Sequence, residues 1–489
     1  MRLGLQHTYA ALPSRFFARV APASAKNPEL VAFNSRLAEE LDLDPADLKR
    51  QGALWFSGKQ TPDDADPIAM AYAGHQFGNF VPQLGDGRAI LLGERVGRDG
   101  VRRDIQLKGS GRTPFSRNGD GRAALGPMLR EYLISEAMHA LGIPTTRSLA
   151  VVTTGEQVVR EDLLPGAVLT RVAASHIRVG TFEYFAARDD RDALNELLDY
   201  VINRHDPQAR DAAVPALAVL EAVSQRQAAL VADWMSVGFI HGVMNTDNMA
   251  ISGETIDYGP CAFMDGYAAN TVFSSIDHGG RYAYGNQPAI AQWNLARFAE
   301  TLLPLIDSDT GKAVELATAV VKAFMPDFDA RLLARTRRKI GLESVSEGDA
   351  ELVSALFATM QTAGADFTLT FRRLARCVDE PAEDASLLEL FAPSTGITDW
   401  LRRWRERLAS EPQHAAERAA NMRRVNPVFI PRNHRVEVAL EAASTHGDLG
   451  PFHQLLKILE HPYEDQPGSS EFEQPPGSGE RVHRTYCGT

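Results

Sequence analysis

The sequence is poor in cysteine and has no long apolar stretch. Three cysteines occur among 489 residues, at Cys261, Cys377 and Cys487, and they are too few and too scattered for a disulfide framework or a zinc site. No apolar run approaches the roughly 18 residues that a membrane-spanning helix needs. These absences predict a soluble, cytoplasmic protein without a membrane partner, and we expect it to be a monomer.

Positive charge is also scarce, except in one segment. The formal net charge is −12, which argues against binding to a nucleic-acid polymer. Residues 102–130, however, contain seven bases against two acids. The seven bases are Arg102, Arg103, Lys108, Arg112, Arg117, Arg122 and Arg130. Because this basic segment is also rich in glycine, we expect it to contact phosphate rather than a polymer.

Several well-known catalytic motifs are missing. The sequence has no HExxH, no CxxC pair and no Gly-x-Ser-x-Gly, which argues against zinc proteases, dithiol redox enzymes and α/β-hydrolases. The Gly-Ser-Gly at 109–111 lacks the third glycine of a dinucleotide fingerprint. The thirteen histidines are dispersed, so we interpret them as structural or surface residues rather than as metal ligands.

The first third of the chain predicts strands and one prominent helix. Residues 89–96 and 104–109 read as strands, and residues 127–142 as a helix. The tetrad Gly-Asp-Gly-Arg, at 85–88 and again at 119–122, predicts two tight loops. From about residue 195 onward helical patterns dominate, including one at 312–325. They are interrupted by a predicted β-hairpin at 249–259 that turns at Gly253 and Glu254.

This order of elements predicts an α+β, protein-kinase-like bilobal fold, with a small mixed α/β N-lobe and a larger helical C-lobe that has a C-terminal helical extension. We expect an N-terminal extension and N-lobe over 1–165 and a C-lobe over 166–330. A helical region would follow over 331–461. The composition of residues 462–489, rich in Gly, Pro, Ser and acids, predicts a flexible tail that carries Cys487.

The stretch 241–260, "HGVMNTDNMAISGETIDYGP", resembles the catalytic segment of a phosphotransferase. In kinases a His is followed by Asp, an Asn lies five residues after that Asp, and a DFG-type Asp follows later. His241, Asn248 and Asp257 have this spacing, but Val243 occupies the position of the catalytic Asp. The segment therefore predicts the metal ligands of a kinase without its usual base.

The candidate roles follow from chemistry, and each has an alternative. Asn248 and Asp257 could hold Mg²⁺, which prefers oxygen ligands and takes only one or two from protein beside phosphates; otherwise they are ordinary turn residues. Asp247 is the spare carboxylate that could act as a displaced base, or it caps a turn. Lys108, at the end of a strand, could pair with Glu131 on the helix, or both are unrelated surface residues.

Five long motifs closely resemble the selenoprotein O family of protein-kinase-like proteins. The resemblance runs from about residue 10 to the C-terminus. The motifs are "YAGHQFGNFVPQLGDGRAILLGE" (72–94), "QLKGSGRTPFSRNGDGRAALGPMLREYLISEAMHALGIPTTRSL" (106–149), "LTRVAASHIRVGTFEYFA" (169–186), "HGVMNTDNMAISGETIDYGPCAFMD" (241–265) and "NPVFIPRNH" (426–434). The chain resembles a bacterial-type member that has cysteine in place of selenocysteine.

This resemblance implies a pseudokinase that binds ATP in a flipped orientation and transfers AMP to Ser, Thr or Tyr hydroxyls of proteins. It implies that Asp247 is the base and that Asn248 and Asp257 hold Mg²⁺ or Mn²⁺. The residues that it implies for nucleotide binding are Gly85, Gly87, Arg88, Lys108, Asp120, Gly121, Glu131, Arg171, Arg178 and Asp257. Among these, Lys108, Arg171 and Arg178 would hold the outer phosphates, and Glu131 would pair with Lys108.

Three functions stay open at this point. AMP transfer is favoured by the resemblance, and UTP with Mn²⁺ could serve as a second substrate. True phosphoryl transfer would need Asp247 as a displaced base, and a nucleotide-sensing scaffold would need no complete metal site. Relatives with a redox bridge have a cysteine where this chain has Phe273, so regulation through that bridge is in doubt; Cys261 is the other candidate partner for Cys487.

Overall fold

The computed structural model describes residues 2–379, 381–391 and 396–486. Twelve strands lie in this part of the chain. They are β1 (Phe17–Arg19), β2 (Glu29–Phe33), β3 (Ile68–Met70), β4 (Gly74–Gln76), β5 (Asn79–Val81), β6 (Ala89–Val96), β7 (Arg102–Lys108), β8 (Ala123–Ala124), β9 (Arg147–Val159), β10 (Leu163–Ala173), β11 (Phe239–Ile240) and β12 (Ala262–Phe263).

Fifteen α-helices lie in the same described ranges. They are α1 (Ser35–Glu40), α2 (Pro45–Phe56), α3 (Leu125–Ala140), α4 (Val179–Ala186), α5 (Arg191–His205), α6 (Pro215–Ser236), α7 (Gln287–Ile306), α8 (Thr310–Lys339), α9 (Asp349–Ala363), α10 (Phe367–Asp379), α11 (Asp384–Glu389), α12 (Gly396–Leu408), α13 (Ala415–Val425), α14 (Asn433–His446) and α15 (Gly450–Leu459).

Eight strands form one antiparallel sheet in the order β1-β3-β6-β7-β10-β9-β2, with β8 paired to β10. Both faces of the sheet are covered. Successive side chains of a strand point to opposite faces, so neighbouring residues are buried in different cores. In β6, for example, Leu91 belongs to the large core that includes α3, while Leu92 packs with Leu48 and Trp55 of α2. This double burial accounts for the nearly continuous apolar sequence of β6.

The chain is therefore a mixed α/β protein with an antiparallel sheet followed by helices. The strands predicted at 89–96 and 104–109 are confirmed, and the predicted helix at 127–142 is α3, which begins two residues earlier. Among the described residues, no helix is both long enough and apolar enough to cross a membrane.

Two local predictions needed correction. The predicted helix at 312–325 stops before Pro326, because a proline ordinarily ends or kinks a helix. In the structure, α8 nevertheless continues to Lys339. Phe324 and Phe328, on either side of this proline, are both buried in the core. Packing of both halves thus outweighs the local preference of the proline.

The predicted hairpin at 249–259 was wrong. Its two arms pair with other segments rather than with each other: Ala250 forms an isolated bridge with Arg178, and Thr255 with Thr145. The turn itself exists, because Gly253 N donates to Ala250 O at 3.2 Å. The sequence pattern predicted the turn correctly, but it contained no information about which segments would form backbone hydrogen bonds with the two arms.

Residues 462–486 lie against the rest of the protein along part of their length. Phe472 is buried, and Tyr463 donates through its hydroxyl to Leu141 O at 2.9 Å. Near the end, Thr485 N donates to Phe273 O at 2.8 Å, and the Thr485 hydroxyl donates to Pro260 O at 2.6 Å. The end of the described chain therefore lies beside the segment that follows Asp257.

Candidate active site

Asp257 lies at the centre of a cluster of three cations. Its Oδ1 accepts hydrogen bonds from Lys108 Nζ at 2.8 Å and from Arg171 Nη2 at 2.7 Å, and its Oδ2 accepts one from Arg178 Nη1 at 2.8 Å. Burial would raise the pKa of Asp257, but these three cations hold it well below its ordinary value. Asp257 has φ +62°, a left-handed conformation that a non-glycine residue adopts at an energetic cost.

Glu131 is the second carboxylate of this cluster. Lys108 Nζ donates to Glu131 Oε2 at 2.6 Å, and Arg171 Nη2 lies 2.7 Å from Glu131 Oε1. Burial would raise the pKa of Glu131, while Arg171 and Lys108 lower it. The predicted Lys108–Glu131 ion pair is therefore present, and the alternative of two unrelated surface residues is wrong, since both are almost fully buried.

The sheet and two helices bring these side chains together. Lys108 ends β7 and Arg171 lies on the adjacent strand β10, where Leu169 is the register partner of Lys108. Glu131 comes from the second turn of α3, which packs against the sheet. Arg178 directly precedes α4. The cluster thus depends on strand register and helix packing rather than on closeness in sequence.

Asp247 lies beside this cluster in a different environment. It is buried, its Oδ2 accepts one long hydrogen bond from Gln76 Nε2 at 3.4 Å, and its Oδ1 has no partner among the described residues. Burial raises the pKa of Asp247 to about 7, against the opposing effect of Arg178. No backbone N–H of another described residue donates to its carboxylate, so the alternative role as a turn cap is not supported.

Asn248 faces the same cavity as Asp247 and Asp257. Its amide Nδ2 donates to Val243 O at 3.0 Å. Val243, which occupies the position of the kinase base, thus orients the side chain of Asn248. The described residues contain no cluster of three or more His, Cys, Asp or Glu suited to a metal. The amide oxygen of Asn248 and the carboxylate of Asp257 nevertheless supply oxygen donors that fit Mg²⁺ or Mn²⁺ when phosphates and water complete the shell.

These side chains line a central cavity of about 570 Å³, a size suited to a nucleotide. An adjoining cavity of similar volume shares Gly87, Arg88 and Asp247 with it. Of the predicted nucleotide residues, the central cavity is lined by Gly87, Arg88, Lys108, Arg171, Arg178 and Asp257, together with Asp247 and Asn248. Gly85, Asp120 and Gly121 line the adjoining cavity instead, and Glu131 lies behind Lys108.

Comparison with known proteins identifies the family of this chain. A family model described as "Protein adenylyltransferase SelO" matches residues 1–460. The chain is 62% identical to "Protein nucleotidyltransferase YdiU" of Rhizobium etli over 483 residues, which cover 99% of this chain and 97% of the relative. It is 61% identical to the protein of that name from Bradyrhizobium sp., with 99% of both chains covered.

The chain belongs to the SelO family. It is therefore a nucleotidyltransferase, and a nucleotide is one of its substrates. The two tight loops predicted from the Gly-Asp-Gly-Arg tetrads both line the adjoining cavity of this chain. Gly85 and Gly121 both have positive φ, +69° and +68°, which glycine adopts without strain.

The basic segment 102–130 serves the site only in part. Lys108 and Arg117 line the central cavity. Arg103, by contrast, pairs with Asp99 at 2.6 Å, and Arg130 pairs with Glu437 at 2.8 Å. Acids nearby and far along the chain thus neutralise several members of the segment, and the expected contact with phosphate stays a prediction for those at the cavity.

Three residues at the candidate site were missed by the sequence analysis. Asp86 lies between the glycines of the first tetrad, lines the central cavity, and has its pKa raised by burial. The ring of Tyr72 lies 4.5 Å below the Arg178 guanidinium, and Gln76 contacts Asp247. Asp86 was within reach of sequence reasoning, since it belongs to a quoted tetrad; nothing in the local pattern indicated Tyr72 or Gln76.

His241 and Cys261 do not line the central cavity. His241 is buried and its Nε2 lies 2.9 Å from Ile256 O, so it supports the backbone next to Asp257. Cys261 is buried, which raises the pKa of its thiol to about 11. Cys487 lies outside the described residues, so the structure does not test Cys261 as its candidate partner. The described chain ends at Tyr486, which lines the central cavity.

Proposed function

We propose that this protein transfers AMP from ATP to Ser, Thr or Tyr hydroxyls of other proteins. The observation that carries the proposal is the separation of charge in the central cavity. Lys108, Arg171 and Arg178 converge on buried carboxylates at one end, whereas the uncompensated Asp247 carboxylate lies beside them. The cation cluster suits the outer phosphates, and Asp247 suits an attacking hydroxyl.

In this proposal the three cations exchange partners when ATP binds. They are held by two carboxylates, Glu131 and Asp257, so the β- and γ-phosphates can compete for them. Arg178 links both halves of the site, because its Nη1 donates to Asp257 Oδ2 and to Asp247 O, each at 2.8 Å. An ATP bound with its outer phosphates at the cations would bring its α-phosphate towards Asp247.

Asp247 then accepts the proton of the substrate hydroxyl. The hydroxyl oxygen forms a bond to the α-phosphorus, and the bond from that phosphorus to the bridging oxygen of the β-phosphate breaks, which releases pyrophosphate. The pKa of Asp247, raised to about 7 by burial, suits a base that must take up a proton near neutral pH. Mg²⁺ or Mn²⁺, held by Asn248 and Asp257, would neutralise charge on the phosphates.

We assign residues 1–165, which include α3 and most of the sheet, to an N-terminal extension and a kinase-like N-lobe. The following residues form a C-lobe over 166–330, which begins with the greater part of β10, and a C-terminal helical region over 331–461. We further propose a cytoplasmic monomer that uses no nucleic-acid polymer or membrane partner. UTP with Mn²⁺ is the second nucleotide to test.

The deciding experiment identifies which phosphate is transferred. Purified protein with Mg²⁺ or Mn²⁺ should label itself or a protein substrate from α-labelled ATP and not from γ-labelled ATP. Mass spectrometry should find AMP on Ser, Thr or Tyr. Asp247→Asn provides the control, because it should remove the label while ATP still binds.

Two results would contradict AMP transfer. Label that arrives only from the γ-position would establish phosphoryl transfer with Asp247 as a displaced base. Metal-dependent ATP binding without label from either position, across a broad set of candidate proteins, would favour a nucleotide-sensing scaffold.

A further inference from the structure

A separate cavity of about 290 Å³ lies where four helices end. The helices α3, α6, α8 and α13 end at Ala140, Ser236, Lys339 and Val425, and each contributes a residue at or next to its C-terminus to the wall. This helix-end cavity shares no lining residue with the central cavity. It is therefore a distinct location, and neither the family nor the proposed reaction assigns it a role.

The helix-end cavity is lined by four cations and one acid. The cations are Arg335, Arg338, Lys339 and Arg424, and the acid is Asp233. Arg335 Nε already donates to Asp233 Oδ1 at 2.5 Å. Three cations thus remain without a carboxylate partner among the described residues, in a chain whose net charge is −12. The partial negative charges of the four helix C-termini offset part of this positive charge.

Lys339 is the unusual member of this group. It is only 4% exposed, and its Nζ lies 4.3 Å from the centroid of the Phe371 ring. No carboxylate or carbonyl of the described residues accepts a hydrogen bond from it. A buried ammonium without a hydrogen-bond acceptor is costly. Because Lys339 lines the helix-end cavity, a ligand in that cavity could supply the acceptor.

A structural role as a helix cap does not account for these cations. Basic side chains at a helix C-terminus ordinarily donate to the last carbonyls, but Arg335 donates to Arg331 O and Ala229 O, which lie inside α8 and α6. Lys339 donates to none, and the hydrogen bond recorded for Arg424 goes to the side chain of Asn421. Arg335 is therefore engaged with the protein, while the other cations have donors to spare.

We propose that the helix-end cavity binds a small phosphate-type oxyanion through Lys339, Arg338 and Arg424. Guanidinium and ammonium groups are the usual protein ligands for such ions. The volume of about 290 Å³ is at the lower end of the range for small-molecule sites, which favours phosphate or pyrophosphate over a complete nucleotide. This inference does not depend on the proposed AMP transfer.

Binding at this cavity should weaken as the pH rises. Burial lowers the pKa of Lys339 to about 7, so Lys339 is charged at pH 6 and largely neutral at pH 8. The other charged or titratable groups in the wall are Asp233, Arg335, Arg338, Arg424 and Tyr463; the arginines keep their charge, and burial raises the pKa of Tyr463 to about 12. None of the lining residues is a histidine or a cysteine.

Sulfate is the best probe, because its charge stays −2 between pH 6 and 8. Heats of binding should be compared for the wild-type protein and Lys339→Met, so that sulfate sites elsewhere contribute equally to both. The wild type should bind sulfate about tenfold or more tightly than the variant at pH 6, and this difference should shrink at pH 8. Lys322→Met, on an exposed position of the same helix α8, is the matched control and should behave as the wild type.

Arg424→Gln, at an exposed position, is a second variant that does not alter a buried residue and should also weaken sulfate binding. Parallel titrations with inorganic phosphate, pyrophosphate and AMP identify the source of the anion, since only ligands of this cavity should respond to Lys339→Met. Equal binding of sulfate by the wild type, Lys339→Met and Arg424→Gln would overturn the proposal and leave the cations as a complement to the helix ends.

Discussion

Asp247 and Asp257 are the same residue type in one cavity, yet their carboxyl groups differ in charge state. Burial acts on both and favours the protonated form. The difference comes from cations: three donate to the side chain of Asp257, whereas Arg178 donates only to the backbone carbonyl of Asp247. Asp257 is thereby fixed as an anion, and Asp247 remains able to exchange a proton.

Asp247→Asn should slow transfer by roughly 10²–10⁴-fold, the usual contribution of a general base. Nucleotide affinity should change little, because Asp247 donates no charge to the cation cluster. Transfer rates and ATP affinity measured on the same preparation test this. An equal loss of affinity and rate would instead make Asp247 a ligand of the nucleotide or its metal.

Asp257→Ala should have the opposite profile. It removes the carboxylate that we assign to the metal and leaves Lys108, Arg171 and Arg178 without a shared partner. We expect no detectable transfer and the loss of the metal dependence of ATP binding, measured by titration with and without Mg²⁺. Normal activity at ordinary Mg²⁺ concentration would refute the assignment of Asp257.

At the residue scale, sequence reasoning succeeded where spacing limits the geometry. Lys108 and Glu131 fit a strand end and the helix after it, and they do form an ion pair. Arg171 and Arg178 came only from family resemblance, because strand pairing, which no local pattern specifies, brings Arg171 next to β7. No sequence pattern indicated Lys339, because its burial results from the packing of helices that are distant in the sequence.

At the element scale, α3 connects the sheet to the cation cluster through Glu131. Glu131→Gln should lower the free energy of unfolding by about 3 kcal/mol, the order of magnitude for breaking a buried ion pair, because Lys108 and Arg171 lose a buried partner. Saturating Mg-ATP should recover part of this loss by supplying phosphate charge to the same cations. Urea unfolding with and without Mg-ATP measures both effects.

Glu136→Gln on the same helix is the matched control. Glu136 binds Arg147 at 2.8 Å and lines neither the central nor the adjoining cavity. Its loss should lower stability without any extra gain from ATP. If ATP stabilises both variants by the same amount as the wild type, Glu131 does not compete with phosphate for the cations.

Elements were predictable where their periodicity was long and local. The strand β6 and the helix α3 have strong apolar patterns and were found close to their actual bounds. The hairpin at 249–259 failed because its arms, although strand-like, take their hydrogen bonds from residues near 145 and 178. Such long-range pairing depends on the assembled core, not on the segment.

At the scale of the whole molecule, Arg432 connects four distant parts of the chain. Its Nη1 donates to Asp265 Oδ1 at 2.7 Å and to Asp366 Oδ2 at 2.6 Å, and its Nη2 donates to Glu473 O at 2.9 Å. The next residue, Asn433, donates to Phe263 O at 2.8 Å. The motif "NPVFIPRNH", which sequence reasoning could quote but not interpret, thus joins α14 to the segment after Asp257.

Arg432→Met should therefore destabilise the whole protein by about 3–5 kcal/mol at pH 7, because two buried carboxylates lose their common partner. Burial already raises the pKa of Asp265 against the effect of Arg432, and without the arginine it should rise further. A folded-state pKa above the unfolded value means that the folded variant binds protons more readily, so its stability relative to the wild type should improve as the pH falls from 7 to 5.

Arg435→Met, which removes a more exposed pair with Glu471, should cost less than about 1 kcal/mol with no such trend. If the deficit of Arg432→Met stays constant with pH, the loss arises from packing, and Arg432 does not act by neutralising these carboxylates.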